Sequence, residues 1–202
     1  LKSIEIPSTV KVIGLHAFRE CTQLMEMKLC DGLTDIKDGA LWGCKSLKSI
    51  EIPSTVKVIG HSVFRGCTQL MEVKLCEGLI DINESAFGYC TSLKSIEIPS
   101  TVKMIGLHAF RECTQLMEAK LCEGLTYIND SAFDGCTSLK SIEIPSTVKM
   151  IGLHAFRKCT GLMEVKLCEG LTDIKDAAFC YCISLKSIEI PSTVKVIGLH
   201  AF

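Results

Sequence analysis

The chain has 202 residues, of which 48% are hydrophobic, and its formal net charge is −1 at pH 7. A balance this close to neutral provides no field that would attract nucleic acid or an anionic membrane surface. No apolar run approaches the roughly 20 residues that a membrane span needs. We therefore expect no nucleic-acid partner and no membrane insertion by this segment.

A leucine recurs every 23 residues along the whole chain, from Leu1 to Leu185. Eight full units occupy residues 1–184, and part of a ninth occupies 185–202. We call each unit a coil, number the coils in chain order, and number positions within a coil from its leucine. A fixed period of this length predicts a solenoid in which each coil packs on its neighbours. We expect one monomeric array over residues 1–202, cut from a longer array because it stops within a coil.

The sequence of every coil predicts the same elements in the same order. Odd and even coils differ in detail, so the true period is two coils. Apolar positions 4 and 6 alternate with polar positions 3 and 5, which is typical of a half-buried strand. Pro-Ser-Thr in odd coils, or a pair such as Asp31-Gly32 in even coils, ends this strand in a turn. A second short strand reaches the isoleucine at position 13. The Ala-Phe-x-x-Cys segment at positions 17–21 predicts a helical turn, because its apolar residues are spaced i, i+1, i+4.

Two further expectations follow from this order. The first strands of nine coils should form one parallel sheet about 38 Å long, at about 4.8 Å per strand. Position 14, which is Gly14 in coil 1 and Asn83 or Asn129 in two even coils, should adopt a positive φ. Lys37 and Lys175 do not fit that second expectation.

The odd coil has the pattern Leu-x-x-Ile-x-Ile-Pro-x-x-Val-x-x-Ile-Gly-x-x-Ala-Phe-x-x-Cys-x-x. This pattern resembles the BspA-like (Treponema-type) leucine-rich repeat, and the resemblance covers the whole chain. Even coils depart from it, with Cys in place of Pro at position 7 and Lys or Asn in place of Gly at position 14. The resemblance implies a curved, right-handed leucine-rich-repeat solenoid with the main parallel sheet on one face and the short strand and helical turn on the others. It also implies roles in adhesion or host interaction at cell surfaces.

Twelve of the 13 cysteines follow the repeat, and Cys180 is the only irregular one; this regularity argues against a disulfide framework or a zinc site. Position 21 forms a ladder that we interpret as buried free thiols, small hydrophobes with a weak hydrogen-bonding group: Cys21, Cys44, Cys67, Cys90, Cys113, Cys136, Cys159 and Cys182. A second column recurs only every two coils, which places its members too far apart to bridge one another: Cys30, Cys76, Cys122 and Cys168. This many free thiols favours an intracellular, reducing compartment, whereas the family resemblance allows the cell surface.

No catalytic, metal or cofactor site is expected. The histidines at position 16, such as His16 and His108, also recur every two coils and cannot converge as metal ligands must. The Ser, His and Asp residues that a catalytic site could use are repeated along the array, whereas an active site is normally unique. We therefore predict that the chain is not an enzyme.

The outward face of the first strands is the candidate partner-binding surface. Position 5 alternates in sign between coils, as in Glu51 and Lys74, and opposite charges on neighbouring strands attract. The candidate residues are Glu26, Lys28, Lys48, Glu51, Glu72, Lys74, Lys94, Glu97, Glu118, Lys120, Lys140 and Glu143. The alternative interpretation is that these charges only fix the stacking of odd on even coils.

Two functions remain open from the sequence. The first is a non-catalytic scaffold for protein–protein interaction or adhesion, with a protein partner on the sheet. The second is a structural spacer or stalk without a specific ligand, attached to another functional domain. Near-identity of coils two apart favours the spacer, because a specific epitope usually needs local irregularity.

Overall fold

A computed structural model describes all residues, 1–202, and shows a solenoid of parallel strands. Strands at positions 3–5, extended to position 6 in coils 7 and 8, form what we call the main sheet, and strands at positions 12–13 form the second sheet. The main-sheet strands are Ser3–Glu5, Glu26–Lys28, Ser49–Glu51, Glu72–Lys74, Ser95–Glu97, Glu118–Lys120, Ser141–Ile144 and Glu164–Leu167. The second-sheet strands are Val12–Ile13, Asp35–Ile36, Val58–Ile59, Asp81–Ile82, Met104–Ile105, Tyr127–Ile128, Met150–Ile151, Asp173–Ile174 and Val196–Ile197.

The second sheet, not the main sheet, is the continuous one. Its nine strands pair in coil order without a break. The isoleucines at position 13 of coils 1–8 face the core in register, as in the pairing of Ile105 with Ile128. Thus the shorter strands form the uninterrupted backbone ladder of the array.

The main sheet differs from the expected single sheet of nine strands. It is divided into groups of two, two and four strands, and coil 9 contributes none. Odd-to-even pairs such as Ser3–Glu5 with Glu26–Lys28 have three registered residues. The even-to-odd junction of coils 6 and 7 has one, Glu118 with Ser141. We call these looser even-to-odd junctions seams; at the first of them Lys48 N–H reaches Met25 C=O at a long 3.4 Å.

The predicted helical turn at positions 17–21 is wrong, because the structure contains no helix. Alternate N–H groups of this segment bond in different directions. In coil 1, Ala17 N–H donates to Gly14 C=O within the coil, whereas Phe18 N–H donates to Ala40 C=O of the next coil. An α-helix needs every N–H for its own i−4 carbonyl, so bonding between coils replaces it with a series of tight turns. The structure likewise has no helix of the length and apolarity that a membrane span requires.

Positive φ angles occur at positions 16 and 20 of these turns, not at position 14 as expected. In coil 1, His16 has φ 53° and Glu20 has φ 57°. From coil 3 onward, glycine at position 14 of odd coils has a different reason: a Cβ on Gly106 would lie 2.7 Å from the backbone carbon of Asn83 in the preceding coil. Lys37 and Lys175 are therefore compatible with the fold, because their position has no positive φ.

The core is a single cluster of 54 buried residues that runs along the array. Phenylalanines at position 18 stack face to face from Phe64 to Phe202, with centroid separations of 5.2 Å at the first pair and 5.6 Å at the last. Leu41 replaces phenylalanine in coil 2 and is fully buried. Because each ring packs mainly on the rings of adjacent coils, the core stabilises stacking rather than any coil alone.

Candidate functional site

All twelve charged residues proposed for partner binding are exposed on the outward face of the main sheet or beside it. Those at positions 3 and 5 lie on the strands, and the lysines at position 2 immediately precede them. The twelve are Glu26, Lys28, Lys48, Glu51, Glu72, Lys74, Lys94, Glu97, Glu118, Lys120, Lys140 and Glu143. The structure therefore leaves the whole set accessible to a partner.

The charges at position 5 form separate pairs rather than a continuous ladder. Lys28 Nζ donates to Glu5 Oε1 at 2.8 Å, and this hydrogen bond, together with the charge of Glu5, raises the pKa of Lys28. The equivalent pairs are Lys74 with Glu51, Lys120 with Glu97, and Lys166 with Glu143. Each pair lies within an odd–even couple of coils and is more than half exposed. Exposed pairs of this kind add little stability, so they are compatible with a role in binding.

The seams between these couples open as grooves on the main-sheet face. The groove between coils 2 and 3 has a volume of about 480 Å³ and is lined by Lys28, Glu51 and the apolar Ile50. Equivalent grooves of about 420 Å³ and 240 Å³ lie at the next two seams, beside Lys74 and Lys120. The face therefore has mixed apolar and charged grooves, of decreasing volume, at three successive seams.

A column of exposed methionines immediately precedes the even-coil strands of the main sheet and was missed as a candidate site from the sequence. The side chains are 38%, 41%, 50% and 57% exposed at Met25, Met71, Met117 and Met163. Each stands between two lysines of the adjacent coils: Met71 N–H donates to Lys48 C=O, and Lys94 N–H donates to Met71 C=O. The alternation of Lys and Met at position 2 was the available signal, but a period of 23 does not say which way a side chain points.

The cysteine ladder lies inside the turns and is buried except at Cys21 and Cys182, which are partly buried. Each thiol beyond the first donates to the position-18 carbonyl of the preceding coil, as Cys113 Sγ does to Phe87 C=O at 3.2 Å. Burial raises the pKa of Cys44, Cys113 and Cys182 to about 12. All 13 cysteines are free, and the ladder thiols act as structural donors between coils.

The histidines are part of no metal-binding cluster, and Asn129 bonds to the preceding coil. No group of three or more His, Cys, Asp or Glu side chains could hold a metal ion. Asn129 Nδ2 donates to Ile105 C=O at 3.0 Å, and Ser131 is only 6% exposed. This asparagine therefore has a structural contact between coils.

The carboxylate of Asp134 is buried in the turns at positions 17–21, which we call the outer turn. The sequence analysis did not predict a stabilising role for this residue. Asp134 is 1% exposed and accepts two hydrogen bonds from the guanidinium of Arg157, each of 2.9 Å. Arg111 Nε lies 3.5 Å from Asp134 Oδ2 on the other side. These arginines come from coils 5 and 7, so the carboxylate joins three successive coils.

Stacked parallel strands, a stacked phenylalanine core and repeated 23-residue turns define a leucine-rich-repeat solenoid. The family model for the BspA type leucine rich repeat region matches residues 1–105 and 80–202, and the chain belongs to this family. No curated protein sequence matches the chain.

Solved structures show the same fold. A leucine-rich repeat protein of T. pallidum is 29% identical, with a TM-score of 0.72 over 91% of this chain and 78% of that one. A leucine rich cell surface protein from Faecalibacterium prausnitzii is 28% identical, with a TM-score of 0.53 over 98% of this chain and 69% of that one. The pneumococcal vaccine antigen PcpA is 24% identical, with a TM-score of 0.66 over 99% of this chain and 59% of that one. The likeness to PcpA shows a shared fold alone.

Proposed function

We propose that the protein is a non-catalytic interaction scaffold whose main-sheet face binds a protein partner, as in adhesion. The exposed methionine column is the observation that supports this proposal most directly. Methionine is flexible and polarisable and is enriched at protein interfaces. Four such side chains, 38–57% exposed and flanked by lysines, provide apolar contact area together with charge for orientation.

The seam grooves add a second argument for the same face. Each groove combines an apolar floor residue such as Ile50 with a lysine and a glutamate on its walls. A partner side chain that enters a groove would bury apolar surface while its polar groups bond the rim, which is the usual composition of an interface. Membership of a repeat family, and a cell surface protein among the structures of the same fold, support the proposal further.

The experiment compares two double variants that are matched in exposure and charge. Met71→Glu/Met117→Glu alters the main-sheet face, where these residues are 41% and 50% exposed. Val58→Glu/Ile80→Glu alters the second-sheet face, at a residue of strand Val58–Ile59 and at the residue before strand Asp81–Ile82, which are 37% and 43% exposed. A partner isolated with the wild type is titrated against both variants after far-UV circular dichroism has shown that each is folded.

We expect the main-sheet variant to bind at least about tenfold more weakly, equivalent to about 1.4 kcal/mol, and the second-sheet variant to bind like the wild type. Equal loss in both variants would contradict binding by the main-sheet face. Absence of any saturable partner at micromolar concentration would favour the spacer.

A further inference from the structure

The outer turn lies on a different face from the main sheet. At one of its positions, position 19, the residues differ from coil to coil. Position 19 is arginine in the four complete odd coils: Arg19, Arg65, Arg111 and Arg157. The four even coils place different residues between them: Trp42, Gly88, Asp134 and Cys180. The same arginine therefore has a different environment in each pair of coils.

In the N-terminal half, the arginines lie against aromatic rings. The guanidinium carbon of Arg19 is 4.2 Å from the centroid of the Trp42 ring. That of Arg65 is 5.7 Å from Trp42 and 5.1 Å from the centroid of Tyr89. We call these four residues the stacked cluster. A guanidinium within about 6 Å of a ring centroid makes a cation–π contact, and such a contact uses none of its five N–H donors, which stay available to a ligand.

The two N-terminal arginines at position 19 differ from the two C-terminal ones in the carboxylates that lie beside them. Arg111 and Arg157 both contact the buried carboxylate of Asp134. Arg19 approaches only Glu20, at 3.8 Å, and no ion pair of the structure includes Arg65. Arg65 and Trp42 are both partly exposed. Arg65 thus lacks the carboxylate partner that Arg111 and Arg157 have in Asp134, and Arg19 has only the exposed Glu20.

We propose that the stacked cluster binds carboxylate groups of an acidic peptide segment on a partner protein. A guanidinium fork bonds a carboxylate through two parallel N–H···O bonds, as Arg157 does with Asp134. Tryptophan, tyrosine and arginine are also the residues that most often dominate binding energy at interfaces. The surface is separate from the main-sheet face and would operate whether or not that face binds a partner.

The position of the single tryptophan makes this site directly observable. Trp42 is the only tryptophan of the chain, so its fluorescence reports on the stacked cluster alone. The probe is a hexaglutamate peptide, titrated at low salt into the full chain, with hexaglutamine as the uncharged control. Inorganic phosphate and a short single-stranded oligonucleotide are titrated separately, because both are anions of a different kind.

We expect a saturable change in Trp42 emission with hexaglutamate and none with hexaglutamine. Arg65→Gln should weaken binding at least about tenfold, since it removes a charge-assisted fork. Arg111→Gln is the matched control: it removes the same charge from the same column two coils away, where the carboxylate of Asp134 lies 3.5 Å from Nε and already compensates that charge, and it should leave the affinity unchanged. Tyr89→Leu, with both charges intact, should weaken binding by a smaller factor.

Four results would overturn the proposal. They are no saturable response to hexaglutamate, an equal response to hexaglutamine, equal affinity in Arg65→Gln and the wild type, and tighter binding of phosphate or of the oligonucleotide than of hexaglutamate at the same salt concentration. Far-UV circular dichroism of each variant shows whether the solenoid is intact, so a loss of binding can be assigned to the missing group.

Discussion

The buried contact between Asp134 and Arg157 provides a sharp test of how the coils are joined. Asp134→Asn keeps the volume of the side chain and removes its charge. One amide oxygen remains to accept a bond from the guanidinium, whereas the amide NH₂ replaces the second oxygen and faces another donor. The carboxylate is 1% exposed, so water cannot fill the place of the lost partner without a shift of the turn.

The size of the effect follows from the geometry of the pair. A hydrogen bond to a charged group contributes about 1.5–3 kcal/mol, and a neutral one about 0.5–1.5 kcal/mol. Breaking a fully buried ion pair costs about 3–5 kcal/mol, but the Arg157 side chain is 27% exposed and can regain contacts with water. We therefore expect Asp134→Asn to lower the free energy of unfolding by about 2 kcal/mol. Arg111→Gln should cost less than about 1 kcal/mol, because its Nε lies 3.5 Å away and the side chain is 34% exposed.

The assay is urea unfolding of the wild type, Asp134→Asn, Arg157→Gln and the double variant, followed by far-UV circular dichroism. Trp42 fluorescence is recorded in parallel, because coincident transitions show that coil 2 and coil 6 unfold together and that a single free energy is defined. The double-mutant cycle should give a coupling of at least about 1 kcal/mol. A coupling below about 0.5 kcal/mol, or an equal cost for Arg111→Gln and Arg157→Gln, would refute the reasoning.

Three more predictions concern the core. Ala119→Val should raise the unfolding midpoint by about 2–4 °C, because two added carbons contribute about 0.8 kcal/mol each, less side-chain entropy; a loss above about 1 kcal/mol would indicate overpacking. The Cys113 thiol, whose pKa burial raises to about 12, should react with a thiol reagent only after denaturation; rapid labelling in native buffer would contradict its burial. Phe110→Ala should cost about 3–5 kcal/mol in urea unfolding, and Phe110→Leu much less, since Leu41 occupies this position in coil 2; equal costs would show that the ring stack itself is required.

The strands and the core were predictable because each depends on short patterns within one coil. Alternation around Ile4 gives the main strand, and the invariant column at Ile13 gives the second. The helical turn was wrong because its apolar spacing fits a helix as well as it fits a series of turns. What decides between them is the destination of N–H groups such as that of Phe18, which bond to the next coil.

The candidate surfaces were predictable only in part, for a similar reason. The exposure of Glu51 and Lys74 follows from strand alternation. The sequence also gives Arg65, Trp42 and Tyr89, but they are 23–24 residues apart and belong to different coils, so their proximity depends on the stacking distance and on the path of the turn. The sequence of a single coil does not predict the seams either, because they arise only where an even coil is followed by an odd coil.

The sequence by itself determined the repeat, the family and the identity of the core columns, since each requires only that equivalent residues recur at a fixed spacing. Tertiary structure decided which strands form the continuous sheet, which lysine pairs with which glutamate, and which arginine of position 19 lacks a carboxylate partner. These outcomes depend on contacts between coils, and neighbouring coils of different type offer more than one partner to the same side chain. Lys28, placed between Glu5 and Glu51, pairs with Glu5 alone, because the odd–even couple has full strand register and the seam does not.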